Sequence, residues 1–291
     1  MATVHFLDKT LAAVARAGEQ AIFSERFACG RGLLQTLDVR VKILTMLLLI
    51  VVAGLLRTPR PLWLLLMFGM ALALLSAVPL GFFLKRVWLF VPVFTAVIIL
   101  PSLLNVVTPG DPLVVLGSLP KAYTWGPYTV PREIAVTRQG VQGGILFISR
   151  VAASVSFAIL LVLTTRWSDI LAGLRALFVP RVFVMTLSMT YRYLFVYLRL
   201  VQDLYRARKS RTICGCSASA ERSWVASRIG FLYVKSAEMS ADVYRAMLSR
   251  GYHGEAISLQ QFRASACDYV WAVCIAAFAL LLVLFERNVL P

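Results

Sequence analysis

Charged residues are scarce in this chain. Of its 291 residues, 15% are Asp, Glu, Lys or Arg and 59% are apolar. Soluble domains carry roughly 25% charged residues, so this deficit argues against a soluble protein and predicts a membrane protein. Acidic residues are the rarer of the two kinds: the chain has 14 acidic and 30 basic residues, which gives a net charge of +16. In a membrane protein this excess is typical of cytoplasmic loops beside anionic lipids, so we expect no nucleic-acid partner.

Histidine and cysteine are also rare. The two histidines are His5 and His253, and the five cysteines are scattered and odd in number, which disfavours a disulfide framework. Cys214 and Cys216 are spaced too closely for the usual zinc knuckle. The sequence contains neither a G-x-x-x-x-G-K-[ST] phosphate loop nor an H-E-x-x-H metal motif. We therefore expect a protein without catalytic residues, cofactor or metal site.

Five apolar runs are long enough, or nearly so, to cross a bilayer. They cover residues 41–56, 61–79, 88–108, 140–165 and 267–285. Pro92 and Pro101 predict a kink in the third run. Residues 109–139 are rich in turn signals, and "AYTWGPYTV" within them alternates weakly, which predicts a short hairpin.

The 100 residues between the last two runs have a different composition. Residues 166–265 contain 15 of the 30 cations and only six acids, which predicts a cytoplasmic location. Five spans then place the N-terminus in the cytoplasm and the 109–139 loop outside. The sequence predicts an all-α, polytopic membrane protein with about five spans and two long cytoplasmic helices. Its predicted parts are residues 1–40 (cytoplasmic or interfacial), 41–165 (spans one to four), 166–265 (cytoplasmic) and 266–291 (last span and C-terminus).

The N-terminal stretch "LDKTLAAVARAGEQAIF", residues 7–23, has apolar residues at helical spacing. This pattern predicts an amphipathic helix that lies at the membrane interface or packs on the bundle.

Two long helices are predicted in the cytoplasmic block, at residues 181–211 and 221–250. The first is about 45 Å long and becomes progressively basic along its length. The second has apolar residues at steps of three or four, which predict a single apolar face. This face contains Ala226, Ile229, Tyr233, Ala237, Ala241, Tyr244 and Leu248.

Each of these helices ends on an arginine between small residues. A cation at a helix C-terminus is favoured by the helix dipole, and a following glycine allows a left-handed turn. Small neighbours also let another protein's backbone approach, and the guanidinium presents donors to carboxylates or carbonyls. The pattern predicts two docking tips for grooves on other proteins. The docking residues are Ser210, Arg211, Thr212, Ser249, Arg250 and Gly251.

Arg150 falls midway along the fourth apolar run. A charge at the bilayer centre costs roughly 2.5–3.5 kcal/mol, so we expect Arg150 to face protein or water. Small neighbours such as Ser149 and Ala153 favour close helix contact. Two partners stay open for Arg150: a group within this bundle, or another membrane subunit.

At these motifs the chain resembles the transmembrane T component of energy-coupling factor (ECF) transporters, most closely the CbiQ type of cobalt uptake systems. "KSRT" and "AMLSRGYHG" are similar to the two X-Arg-X signatures of that family. "LDVRVKIL", "TRQGVQGGILFISRVAAS" and "VPRVFVMTLSMTYRYLFVYL" also resemble it, so the likeness covers residues 35–265. Ser210 and Thr212 depart from the commoner Ala-Arg-Gly, which leaves Arg208 of "RAR" as an alternative first docking arginine.

The resemblance implies a coupling subunit of an ABC importer rather than an enzyme. Its partners would be two CbiO-like ATPases at the cytoplasmic side, a CbiM-like capture subunit and, as a further candidate, a small CbiN-like subunit. The chain itself would lie in a bacterial inner membrane. Arg211 and Arg250 would dock the ATPases, and the two helices would transmit ATP-driven motion. The cargo implied is cobalt, with nickel or a vitamin as alternatives. Two other classes stay open: a membrane enzyme acting on lipid headgroups, and a conventional ABC permease.

Overall fold

The computed structural model describes residues 28, 30, 32–85, 87, 91–103, 111–118, 123–125, 128–130, 133–174, 179–211, 218–254 and 265–289. The predicted amphipathic stretch 7–23 lies outside these residues. The chain divides into two compact units. The described part of one unit, the bundle, comprises residues 28–173 and 265–289, and that of the other, the helical pair, comprises residues 174–254.

The bundle is built from helices that follow the predicted apolar runs. They are α1 (Leu33–Thr36), α2 (Val39–Leu55), α3 (Pro59–Leu75), α4 (Leu80–Leu84), α5 (Val91–Ile99), α6 (Arg138–Thr164), α7 (Trp167–Gly173) and α10 (Ala266–Val289). A 3₁₀ turn, Leu100–Leu103, continues α5 at the position of Pro101. The α-helix in the described part of the third run therefore ends at Ile99, since proline removes a backbone donor and clashes with the preceding turn. Helix α7, which was grouped with the cytoplasmic block, packs against α2 in the bundle.

Two described helices, at Arg138–Thr164 and Ala266–Arg287, are long and apolar enough to cross a bilayer. Helices α2 and α3 have 17 residues each, about 25 Å, which is somewhat less than a typical hydrocarbon core of roughly 30 Å. The all-α class is confirmed, while the count of about five spans is not.

The bundle core forms where α2, α3, α6 and α10 meet. Its side chains are mainly leucine, valine and alanine, with Phe157 fully buried among them. A Cβ at Gly69 of α3 would lie 3.6 Å from the Phe157 ring, an ordinary van der Waals distance, so the ring packs directly against this part of α3. The small residues Ser149, Ala152, Ala153 and Ser156 of α6 are buried, as expected for close helix contact.

Two acids of α10 bind backbone groups at opposite ends of α2. Asp268 accepts hydrogen bonds from Asp38 N at 2.9 Å and from Ser265 N at 2.7 Å, next to the start of α2. Glu286 accepts from Arg57 N and Thr58 N, between α2 and α3. Both carboxylates satisfy donors that a helix start leaves without intrahelical partners. The contacts also show that α10 runs parallel to α2.

Four short strands lie between α5 and α6. They are β1 (Pro112–Ser118), β2 (Tyr123–Trp125), β3 (Tyr128–Val130) and β4 (Glu133–Thr137). Strands β2 and β3 pair with Trp125 opposite Tyr128, which confirms the hairpin predicted from "AYTWGPYTV". Strands β1 and β4 also pair antiparallel and were not predicted. Thr137 then caps α6 by accepting a hydrogen bond from Gly140 N at 3.1 Å.

The helical pair consists of α8 (Arg181–Arg211) and α9 (Ala218–Ser249). The bounds of α8 match the predicted helix at 181–211, and α9 begins three residues before its predicted start. Pro180 precedes α8, where its missing N–H and fixed φ are compatible with a helix start.

Candidate functional site at the ends of two long helices

Helices α8 and α9 lie antiparallel. At one end, Arg208 near the C-terminus of α8 contacts Glu221 and Trp224 in the first turns of α9. At the other end, Tyr252 just after α9 donates from its hydroxyl to Met185 Sδ of α8 at 3.2 Å. The C-termini of the two helices therefore point in opposite directions, and the predicted docking arginines lie at opposite ends of the helical pair.

The spacing of the two tips follows from helix geometry. Arg211 lies 26 residues beyond Met185 along α8, and Met185 contacts the residue that follows the Arg250 turn. At 1.5 Å per residue, Arg211 and Arg250 are about 40 Å apart. Each tip can thus contact a separate protein, or a separate subunit of one complex.

Arg250 is held in a defined helix ending. Tyr252 N donates to Met247 O at 3.0 Å and Gly251 N donates to Leu248 O at 3.0 Å. Gly251 has a φ of +83°, the left-handed conformation in which glycine meets no steric penalty from a Cβ. These three features form a Schellman motif, with Arg250 as its exposed C-cap residue. The motif fixes the chain at Arg250 while leaving its guanidinium in solvent.

Arg211 is the last residue of α8 and is exposed. The preceding Ser210 is also exposed, and its hydroxyl donates to Ala207 O at 2.9 Å. Ser249 has the same arrangement beside Arg250, since its hydroxyl donates to Ala246 O at 3.0 Å. Both serines thus bond to their own helix. The predicted docking residue Thr212 lies outside the described residues.

Arg208 has a different environment from Arg211. Its guanidinium lies 4.4 Å from the centre of the Trp224 ring and 4.0 Å from Glu221, and its side chain is 14% exposed. Sequence reasoning missed Glu221 and Trp224, because their contact with Arg208 exists only once α8 and α9 fold back on each other. Arg208 joins the two helices, whereas Arg211 lies at the end of α8.

The predicted apolar face of α9 is not the face that packs on α8. Ile229 and Tyr233 are 62% and 77% exposed, and Leu248 is also exposed. The inward face instead contains Trp224, Arg228, Ser236, Met239, Val243 and Met247. Arg228 is half-buried beside Trp224, since its flat guanidinium packs near the ring. Most of the predicted apolar side chains of α9 are therefore exposed.

Arg150 has a partner within the bundle. Its Nη2 donates to Leu56 O at 2.7 Å, which satisfies a carbonyl left open at the C-terminus of α2. At the other end of α2, Lys42 Nζ donates to Thr164 O and Thr165 Oγ1 at 3.1 Å each. Helix α6 therefore runs antiparallel to α2, and Arg150 lies beside the α2–α3 turn. Twelve residues of α6 precede Arg150 and extend beyond that turn.

The described residues contain no group of three or more His, Cys, Asp or Glu side chains that could hold a metal ion. The sequence profile of the CbiQ family, described as cobalt transport protein, matches residues 30–262. The chain belongs to the CbiQ family. This membership confirms the resemblance drawn from the arginine motifs, and it identifies a membrane transport component rather than an enzyme.

Individual relatives agree with this assignment. The uncharacterised protein MJ1571 of Methanocaldococcus jannaschii is 33% identical over 97% of this chain and 93% of its own length. The nickel permease LarQ of Lactiplantibacillus plantarum is 30% identical over 43% of this CbiQ-family chain and 45% of its own length. MJ1089, also from M. jannaschii and uncharacterised, is 27% identical over 49% of this chain and 53% of its own length.

Proposed function

We propose that this CbiQ-family protein is the coupling subunit of an ECF-type ABC importer. The observation that carries the proposal is the pair of exposed arginines, Arg211 and Arg250, at opposite ends of one antiparallel helical pair. A separation of about 40 Å suits two ATPase subunits side by side, one at each tip. When ATP brings the ATPases together, α8 and α9 transmit the movement to the membrane bundle.

The arginine ends are suited to this task for a physical reason. Arginine stays charged and offers several donors in a fixed plane, so it can bind carboxylates or free carbonyls in a groove. The Schellman motif at Gly251 and the contact of Arg208 with Trp224 hold each end of the pair in place. Arg211 is exposed, whereas Arg208 is packed against α9, and this difference supports Arg211 as the first docking residue.

The remaining partners are a membrane capture subunit and lipid. Ile229, Tyr233 and Leu248 form an exposed apolar stripe on α9, and stripes of this kind mark protein or membrane contacts. Helices α2 and α3 also expose large apolar side chains, such as Leu47 and Trp63, which suits lipid contact. We place the N-terminus and the helical pair in the cytoplasm and the β-strands outside, in a multi-pass membrane protein.

The cargo is proposed to be a divalent transition metal. The family description names cobalt, and the relative LarQ is a nickel permease, so cobalt is the first candidate and nickel the second. The capture subunit, not this chain, would select between them.

The test is metal uptake in cells that co-express this chain with its ATPase and capture subunits. Arg211→Glu and Arg250→Glu should each abolish uptake of Co²⁺ or Ni²⁺ while the chain still reaches the membrane. The matched controls are Arg206→Glu and Arg245→Glu, because both arginines are 76% exposed on the same helices but lie before the tips. Normal uptake by both tip variants would refute the docking role. Arg208→Glu supplies a further comparison. If it abolishes uptake without lowering the amount of folded chain, while Arg211→Glu leaves uptake intact, then Arg208 and not Arg211 is the first docking arginine.

A further inference from the structure

A cavity of about 490 Å³ lies between α8 and α9. Four methionines line it: Met185 and Met189 from α8, and Met239 and Met247 from α9. These are half of the eight methionines in the chain. We call this cavity the methionine groove. Methionine side chains are flexible and polarisable, and surfaces rich in them bind the apolar faces of helices.

Among the described residues, only α8, α9 and Tyr252 line the methionine groove, and no further segment covers it. Tyr197, which also lines it, has a buried hydroxyl that makes no hydrogen bond to any described group. An open apolar groove of this size exposes surface that is more stable when covered. The groove is therefore expected to hold an apolar segment.

A segment of matching size precedes the described residues in the same chain. Leu7, Leu11, Val14 and Ala21 recur at steps of three, four or seven, so they share one face of a helix. Residues 7–23 as a helix would be about 25 Å long, and the groove follows α8 from Val182 to Tyr197, which is about 22 Å. The apolar face of this segment is thus long enough to fill the groove.

Charges on the two partners are also complementary. Asp8 and Glu19 are eleven residues apart, close to three helical turns, so they lie on one flank of the predicted helix. Arg181 and Arg192 are likewise eleven residues apart on one flank of α8 and are both exposed. The two acids and the two arginines therefore have opposite sign and the same spacing of about 16 Å.

We propose that residues 7–23 form an amphipathic helix that fills the methionine groove, with the acidic flank against Arg181 and Arg192. This helix makes the helical pair a three-helix unit within one chain. The proposal does not depend on ATPase docking, since it concerns only residues of this protein.

The first experiment measures proximity in the full-length chain in lipid nanodiscs, with its five native cysteines replaced by serine. Val14→Cys is combined with Met189→Cys, on the groove floor, and reacted with a short bifunctional thiol reagent. The matched control combines Val14→Cys with Ser188→Cys, because Ser188 is exposed on the neighbouring side of α8. Intramolecular cross-linking should be at least about tenfold higher in the Met189 pair, reflecting a high effective concentration.

Any of four results would overturn the proposal. Equal cross-linking in the two pairs, or none in either, would show that the segment is not in the groove. Cross-linking of Met189→Cys to a partner membrane subunit when the complex is assembled, with loss of the Val14 product, would assign the groove to that subunit. Recovery of a lipid-derived photoprobe on Met189→Cys in place of the Val14 product would assign it to lipid.

A charge exchange supplies the second experiment. Arg192→Glu should lower the Val14–Met189 cross-linking yield by about two- to fivefold, the size of a surface ion pair. One of the two second substitutions, Asp8→Arg or Glu19→Arg, should restore the cross-linking yield. The acid whose replacement does so lies opposite Arg192 and therefore reports the direction of the helix. Gln20→Arg is the control, because it adds the same charge on another flank. Restoration by Gln20→Arg, or by neither acid variant, would contradict the proposed pairing.

Discussion

Replacing Gly251 tests the docking tip without changing Arg250. Gly251 has a φ of +83°, and a Cβ added there would meet nothing within 4 Å. The cost of Gly251→Ala is therefore backbone strain alone, about 1–2 kcal/mol for a non-glycine residue in the left-handed region. Asparagine tolerates this conformation better, so Gly251→Asn should cost less than Gly251→Ala.

The assay is hydrogen exchange at the amides of Gly251 and Tyr252, whose bonds to Leu248 O and Met247 O close the motif. A loss of 1–2 kcal/mol in local stability speeds exchange by about 5- to 30-fold. Gly230→Ala is the matched control, since a Cβ there also meets nothing within 4 Å but the residue lies inside α9. In a helix interior alanine is favoured over glycine by about 1 kcal/mol, so exchange around residue 230 should slow.

Unchanged exchange at both amides in the alanine and asparagine variants of residue 251 would contradict this prediction. Faster exchange at the tip in Gly230→Ala, equal to that in Gly251→Ala, would also contradict it. If the motif presents Arg250 to an ATPase, the affinity for that ATPase should fall in the order Gly, Asn, Ala at residue 251.

The remaining predictions concern polar contacts. Glu286→Gln should lower the Tm of the purified chain, because two backbone donors lose a charged acceptor at a cost of about 1–3 kcal/mol. Glu238→Gln is the control and should leave the Tm unchanged, because Glu238 is exposed. Asp268→Ala should lower Tm by a similar amount, and an unchanged Tm would show that its bond to Asp38 N contributes nothing. Arg208→Lys should weaken the contact with Trp224 by about 0.5–2 kcal/mol, seen as faster exchange at the start of α9; retained protection would contradict the role given to ring stacking.

The long elements were predictable from the sequence because each has a physical boundary signal. Pro180 precedes α8, and the Arg250–Gly251 step ends α9, so both helices and the exposed Arg250 tip follow from local chemistry. The apolar runs likewise located α2, α3, α6 and α10. Strands β1 and β4 were missed, because Pro112 and Gly117 in β1 look like turn residues in isolation.

The contacts between elements were not predictable in the same way. The pairing of Arg208 with Glu221 depends on the antiparallel return of α9, which no local pattern encodes. The side of α9 that packs on α8 cannot be inferred from apolar residue types alone, because Ser236, Met239 and Arg228 lie on it. The two partners left open for Arg150 could not be told apart from the sequence, because only the packing of α6 on α2 brings its guanidinium to Leu56 O.

The central claim is that an exposed guanidinium at each end of the helical pair binds an ATPase. The most direct measurement is the affinity of the purified ATPase subunits for this chain in nanodiscs, comparing Arg250→Glu with Arg245→Glu. Removing one partner of a desolvated charged contact costs about 2–5 kcal/mol, so Arg250→Glu should weaken binding by about 30-fold or more while Arg245→Glu leaves it near the original value. Equal affinities for the original chain and the Arg250→Glu variant would contradict the account.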